Sequence, residues 1–260
     1  MLASIRGLTA ATLFLGAALP AMASAQTTVE TDTGNPDTDA TPESGFTISG
    51  NVALTTDYRF RGISFSGGDP AVQGGIDIGH ESGFYVGTWA SSLDVGPSYG
   101  ELELDLYAGY AKEFDNGVTV DAGLLYYVYP TEDTGANVNY FEPYASAGFA
   151  LGPASATVGV AYTWDQASTG GENFYVYTDL EAGVPDTGIT LTGHVGYTDG
   201  VFSPPIYSGL STDRTAFDYS IGASATYGIL SLGVSYTGVG GPSVDGLTDD
   251  AVVATLSASF

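Results

Sequence analysis

"FTISGNVALTTDYRFR", residues 46–61, alternates from end to end. Phe46, Ile48, Gly50, Val52, Leu54, Thr56, Tyr58 and Phe60 form one register; Thr47, Ser49, Asn51, Thr55, Asp57, Arg59 and Arg61 form the other. Successive side chains of a strand point to opposite faces, so the stretch predicts an extended strand with one apolar and one polar face. Arg59 and Arg61 are two of only five Lys and Arg residues in a chain of 260 with thirty Asp and Glu. Cations this scarce, set two apart, belong on a face that water reaches.

The same alternation recurs down the chain. Leu102, Leu104, Leu106, Ala108 and Tyr110 oppose Glu101, Glu103 and Asp105. Val118 to Val128 and Ala154 to Trp164 repeat it, as do Phe174 to Val184, Ile189 to Tyr197, Phe217 to Tyr227, Leu230 to Tyr236 and Val252 to Phe260. Phe141 to Leu151 fits with Pro143 as a blemish; Val72 to Ile78 fits plainly, and Phe84 to Leu93 is apolar on both faces. The total is about twelve strands, an even number. Ten residues at roughly 3.3 Å each, tilted near 45°, cross about 23 Å, close to the apolar band of a membrane barrel.

The connections carry an independent signal. Long links at 62–69, 94–100, 130–138, 165–172, 199–214 and 238–250 alternate with short ones at 80–83, 115–117, 152–153, 185–188 and 228–229. Short periplasmic turns and longer extracellular loops produce this alternation. Asp115-Asn116-Gly117 and Pro185-Asp186-Thr187-Gly188 carry the residue types that tight turns require.

Composition fixes the surroundings. Residues 1–25 combine Arg6, an apolar run from Leu8 to Met22 and Ala23-Ser24-Ala25, the layout of a secretory signal peptide. Residues 26–45, rich in Thr, Asp, Glu, Pro and Gly, read as a disordered acidic leader, and 46–260 as the barrel. Without Arg6, four cations face thirty acids, a formal charge of −26. That balance excludes nucleic-acid partners, which need a basic face. No Cys is present, so disulfides and thiolate metal sites are excluded, and no later apolar run approaches a helical membrane span.

A soluble β-sandwich is the rival reading, because it also alternates. Its strands seldom sustain ten alternating residues, and here aromatics flank the apolar stripes. Phe46, Tyr58, Phe60, Tyr110, Tyr126, Trp164, Phe174, Tyr197, Phe217, Tyr227 and Tyr236 form the girdles expected where lipid meets water. The fold class is therefore all-β: a closed antiparallel transmembrane β-barrel.

The chain closes on Val252, Ala254, Leu256, Ala258 and Phe260 at alternate positions. That ending resembles the signal through which the barrel-assembly machinery recognises its clients. "SGNVALTTDYRFRGISFSGGDPAVQGGIDIGHESGFYVGTWASSLD" (49–94) resembles the N-terminal signature of the TorF-type porin family, formerly classed as conserved proteins of unknown function. The shared elements are Asp57-Tyr58-Arg59-Phe60-Arg61-Gly62, Pro70 to Gly75, and Gly83 to Trp89. The long acidic leader and Phe65 depart from the pattern. The resemblance implies a barrel in the Gram-negative outer membrane with pore activity, and names no solute.

In the first strand, lipid takes the even register, so Tyr58 and Phe60 are expected in the upper girdle, with Asp57, Arg59 and Arg61 pointing inward. Arginine against lipid costs several kcal/mol at mid-bilayer. Strand direction puts Glu101, Glu103 and Asp105 high in the lumen, Glu142 near the top, Asp218 upper-middle, and Asp121, Asp179 and Glu181 lower. The candidate pore lining and constriction is thus Asp57, Arg59, Arg61, Glu101, Glu103, Asp105, Glu142 and Asp218, with the arginines facing Glu101 and Glu103 across or along the wall. Excess acid would concentrate cations. Tyr85, Trp89, Tyr127, Tyr129, Tyr175 and Tyr177 fall in the lumen register, where they pack the lumen or line a solute path.

Catalysis finds little support. His80 sits in a periplasmic turn and His194 points inward beside Thr192 and Thr198, whereas a lipid-cleaving set needs its nucleophile outward. Residues 94–105 and 240–250 carry oxygen ligands for weak Ca²⁺ binding but lack an EF-hand pattern, and read as solvated acidic loops. No cofactor or metal is expected. The function expected is passive diffusion of small hydrophilic solutes, with cations preferred, through a barrel seated in outer-membrane lipid. The alternative is a non-conducting barrel with a structural or adhesion role.

Overall fold

The computed structural model describes residues 45–260; the expected signal peptide and all but Gly45 of the leader lie outside the described residues. Twelve long strands form the wall: β1 (Phe46–Thr55), β4 (Ala71–His80), β5 (Phe84–Ser92), β6 (Leu102–Glu113), β7 (Val118–Val128), β8 (Tyr140–Leu151), β9 (Ala154–Thr163), β10 (Asn173–Gly183), β11 (Ile189–Gly200), β12 (Thr215–Tyr227), β13 (Leu230–Val239) and β14 (Ala251–Ser259). Two short strands, β2 (Arg59–Phe60) and β3 (Ile63–Ser64), pair only with each other, and a single helical turn, α1 (Pro204–Tyr207), lies between β11 and β12.

Every long strand pairs antiparallel with its neighbours, and the sheet closes where β1 meets β14. At that seam Gly50 N donates to Phe260 O at 2.8 Å and Phe260 N donates to Gly50 O at 2.9 Å. A Cβ on Gly50 would press into the Phe260 ring, so a glycine lets the last residue lie flat against the first strand. Closure removes all free sheet edges.

Burial is inverted relative to a soluble protein. Ile48 is 72 % exposed, and Val52, Leu54, Val72, Ile76, Val86, Leu106, Leu124, Val158, Leu180, Val195, Ile221, Leu232 and Leu256 are exposed with it. A continuous apolar belt of this extent suits lipid and not water. Aromatic pairs flank it: Tyr126 and Phe141 stack with centroids 4.2 Å apart, Phe84 and Tyr110 lie at 5.0 Å, and Tyr197 and Phe217 at 5.0 Å. The hydrophobic core sits inside the cylinder.

The chain departs from its expected course after Thr55. The last wall pairings of β1 are Thr55 with Thr255 and with Ala71, and Thr56 N still donates to Ala254 O at 2.9 Å; residues 57–66 then fold into the barrel, and 67–70 return to the surface. Tyr58 and Phe60, expected at the lipid interface, are instead 4 % and 5 % exposed inside. The cause is a two-residue hairpin turn. Arg61 (φ 49) and Gly62 (φ 78) are both left-handed, and they turn Ile63-Ser64 back onto Arg59-Phe60. Two positive-φ residues in succession twist in the sense that tight hairpins prefer. Gly62 is required twice over, for its backbone angle and because a Cβ there would collide with Val239 on the far wall. The periodicity of 46–61 runs straight through this change of direction, so alternation alone extends the wall strand too far.

Candidate functional site in the barrel lumen

Residues 57–66 of segment 56–70 are buried inside the barrel. Asp57 accepts from Arg59 Nε at 2.5 Å, from Ser64 Oγ at 2.6 Å and from Ser66 Oγ at 3.2 Å, tying the two arms of the hairpin to one carboxylate. Arg59 also donates through Nη1 to the backbone oxygens of Asp249 (2.7 Å) and Gly62 (3.2 Å), and its Nη2 lies 3.3 Å from Asp249 Oδ1. Ser64 N donates to Leu247 O at 2.8 Å. The 240–250 loop thus clamps the segment from above.

The segment spans the lumen. Tyr58 meets Trp89 of β5 at 5.4 Å between centroids and donates to Glu103 Oε1 of β6 at 3.1 Å. Phe60 meets Tyr127 of β7 at 5.9 Å. Arg61 Nη2 donates to Glu142 Oε1 of β8 at 2.6 Å, and its Cζ lies 4.2 Å from the ring centroid of Tyr175 on β10. Gly62 abuts Asp218 on β12 and Val239 on β13. One fifteen-residue stretch therefore touches seven wall strands at the loop end.

The eight candidate residues separate accordingly. Asp57, Arg59 and Arg61 belong to the inward segment; Glu103, Asp105, Glu142 and Asp218 are buried on the wall around it. Glu101 is exposed at the loop end of β6, outside this cluster. The expected partnership of the arginines with Glu101 and Glu103 is corrected: Arg61 takes Glu142, and Arg59 takes Asp57 and Asp249. The reason is again the turn at Arg61-Gly62, which sends the two side chains in different directions. Glu142 is held for its role, accepting from Tyr127 OH at 3.2 Å and from Thr163 Oγ1 at 2.9 Å. Tyr127 and Tyr175 lie in the lumen register of the sequence; their part in the arginine site, and that of Thr163, needed the fold.

Below this layer, His194 on β11 joins two carboxylates. Its Nδ1 lies 2.5 Å from Asp179 Oδ1, its Nε2 lies 2.9 Å from Asp218 Oδ1 and 3.0 Å from Tyr175 OH, and Tyr175 OH also donates to Asp218. Charge is unevenly balanced at this height. Glu103 Oε2, Asp105 Oδ1, Asp179 Oδ2 and Asp218 Oδ2 are buried with no hydrogen-bond partner among the described residues.

Towards the turn end the lumen is two-sided. On β5 to β10, tyrosines lie over glycines of the adjacent strand: Tyr85 over Gly109, Tyr107 over Gly87, Tyr144 over Gly123 and Tyr177 over Gly159. A ring laid on a glycine across the ladder covers bare backbone and fixes the ring. Tyr107 OH donates to Asp77 Oδ1 at 2.5 Å and Tyr85 OH to Asp121 Oδ1 at 2.7 Å. The opposite wall, on β12 to β14 and β1, presents small groups such as Ser224, Ser231, Ser257 and Ser49. The lumen is thus filled by rings on one side and lined by hydroxyls on the other.

At the loop end, Tyr99 and Tyr207 join through their hydroxyls at 2.8 Å, and Phe65 packs against both. Burial raises both phenols above their ordinary value. A cavity of about 260 Å³ opens beside them, lined in part by Tyr140, Phe202, Ser168 and Thr169. Among the described residues, no group of three or more His, Cys, Asp or Glu is arranged to hold a metal ion.

A family model described as "Bacterial protein of unknown function (Gcw_chp)" matches residues 39–260. No curated protein matches the chain. Among solved structures, the chain is similar to the NanC porin, at 11 % identity and a TM-score of 0.54 over 82 % of this chain and 99 % of that one. It is similar to the KdgM porin at 9 % identity and 0.53, over 82 % and 97 %; that porin has also been solved in complex with disordered oligogalacturonate. At such identities the likeness shows the fold, a porin-like barrel.

Proposed function

The chain belongs to the Gcw_chp family, and we propose that it is an outer-membrane porin-like channel for passive diffusion of small hydrophilic solutes, with cations preferred. The observation that carries this reading is the placement of charge. Asp57, Glu103, Asp105, Glu142, Asp179 and Asp218 are buried inside a closed barrel with Arg59 and Arg61, while the outside is apolar. Carboxylates enclosed by low-dielectric walls draw in cations and repel anions. The TorF-type resemblance of residues 49–94 supports the same location and activity. Catalysis has no comparable support: His194 is enclosed between Asp179 and Asp218. Phe260 at the seam serves, in this reading, as the feature that the assembly machinery reads.

Segment 56–70 makes such a channel narrow and gated. Water and solutes pass along the hydroxyl-lined side or when the segment shifts, so unitary conductance is small. The seven-strand reach of the segment favours a second reading, a non-conducting barrel that serves envelope structure or adhesion. Recordings in planar bilayers test the two. Discrete steps whose reversal potential follows K⁺ under a KCl gradient support the channel; silence at high voltage supports the alternative.

A further inference from the structure

The guanidinium of Arg61 occupies a cage that the wall builds. Its Cζ lies 4.2 Å from the ring centroid of Tyr175 and 4.6 Å from that of Phe60, and its Nη2 donates to Glu142 Oε1 at 2.6 Å. Of these groups only Phe60 travels with Arg61 on the inward segment. Tyr175 and Glu142, with Tyr127 and Thr163 that hold Glu142, stand on β10, β8, β7 and β9. Their backbones are held in the barrel ladder.

Arg61 uses this cage incompletely. Its Nη1 is buried without an acceptor among the described residues. Its backbone is held at φ 49, a left-handed angle that a non-glycine residue adopts at a cost. A planar, weakly hydrated cation with a rigid fork of donors suits an aromatic face beside a carboxylate better than a compact, strongly hydrated one. An untethered guanidinium could reach the same groups without the backbone constraint.

We propose that the cage of Glu142, Tyr127, Thr163 and Tyr175 is a binding site for small organic cations carrying a guanidinium group, and that Arg61 is its tethered occupant, displaced when such a solute enters. This rests on the reading of the lumen as a cation-preferring path and adds the class of solute. Displacement frees the end of the β2–β3 hairpin, so the solute opens the passage it uses.

The test is chemical replacement. In purified Arg61→Ala protein in detergent, methylguanidinium should raise the thermal unfolding midpoint, and tetramethylammonium chloride at equal ionic strength should not. The expected affinity ratio is at least ~10-fold, the scale of one lost charge-assisted hydrogen bond. Adding Glu142→Gln to Arg61→Ala should abolish the difference. Equal response to both cations, or selectivity that survives Glu142→Gln, overturns the proposal. Should Arg61→Ala fail to fold, the unaltered protein in proteoliposomes decides: agmatine should enter several-fold faster than 1,5-diaminopentane, a dication of similar size without a guanidinium, and measurable but equal rates overturn the site. The midpoint shift needs no conduction, so a silent barrel that binds methylguanidinium would refute the channel and leave the cage standing.

Discussion

Arg61 and Glu142 stand 81 positions apart in the chain, yet they meet at 2.6 Å with only 2 % and 0 % of their side chains exposed. The pair fastens an inward-folded segment to the wall of a barrel whose other charges are mostly acidic. Removing one partner strands the other in a place where water cannot reach it. Glu142→Ala should therefore destabilise the protein by about 3–5 kcal/mol, the range for breaking a buried pair from one side. Urea unfolding followed by tryptophan fluorescence measures the loss, and a change below about 1 kcal/mol would show that the pair contributes little.

Gly62 tests the segment without removing a charge. Its φ of 78 and the closeness of Val239 leave no room for a side chain. Gly62→Val should unseat the hairpin while the twelve-strand wall persists. The variant should keep the slower-migrating or faster-migrating folded band seen on unheated gels, show larger conductance, and be cut by protease within residues 56–70. Conductance equal to that of the unaltered protein would mean that the segment does not limit the passage.

The tyrosine–glycine pairs in the lower lumen are stability elements. A Cβ on Gly159 would collide with the ring of Tyr177 directly across the ladder. Gly159→Ala should cost about 1–3 kcal/mol through overpacking. Combining it with Tyr177→Ala should cost less than the sum of the two single changes, as residues in contact behave. Denaturant midpoints of the four proteins check the cycle; strict additivity would mean that ring and glycine are not coupled.

Phe260 should matter at the seam and in assembly. Its backbone bonds to Gly50 survive Phe260→Ala, but the ring over Gly50 is lost. The variant should fold in detergent with a melting midpoint a few degrees lower, and its yield in the outer-membrane fraction of expressing cells should fall several-fold. An unchanged membrane yield would leave Phe260 a packing residue alone.

The wall was legible in the sequence because a membrane barrel imposes a period of two on every strand, with lipid on one register. Twelve strands and the alternation of long and short links follow from that constraint, and most boundaries agree within two or three residues, as at Val118–Val128 and Ala154–Thr163. What alternation cannot show is where a strand leaves the wall. Tyr58 and Phe60 keep the register of Leu54, yet they pack inside, since the barrel interior also buries rings. The local hint was Arg61-Gly62, a dipeptide able to make a tight turn. Arg59 takes Asp57 two positions away, but the distant partners of the arginines, Glu142 and Asp249, lie 81 and 190 positions away, and only the closed sheet brings them together. Glu101 shared the register of Glu103 and Asp105, but it falls just before β6 begins, where the chain is already exposed.

If ions cross through an acidic lumen narrowed by segment 56–70, single-channel recording will show it. Purified protein in planar bilayers under a tenfold KCl gradient should give small discrete steps that reverse on the K⁺ side of zero. Arg59→Ser with Arg61→Ser should enlarge both the steps and the K⁺ preference. Silence at high voltage in both proteins, or reversal on the Cl⁻ side, would mean that the lumen is no path for cations.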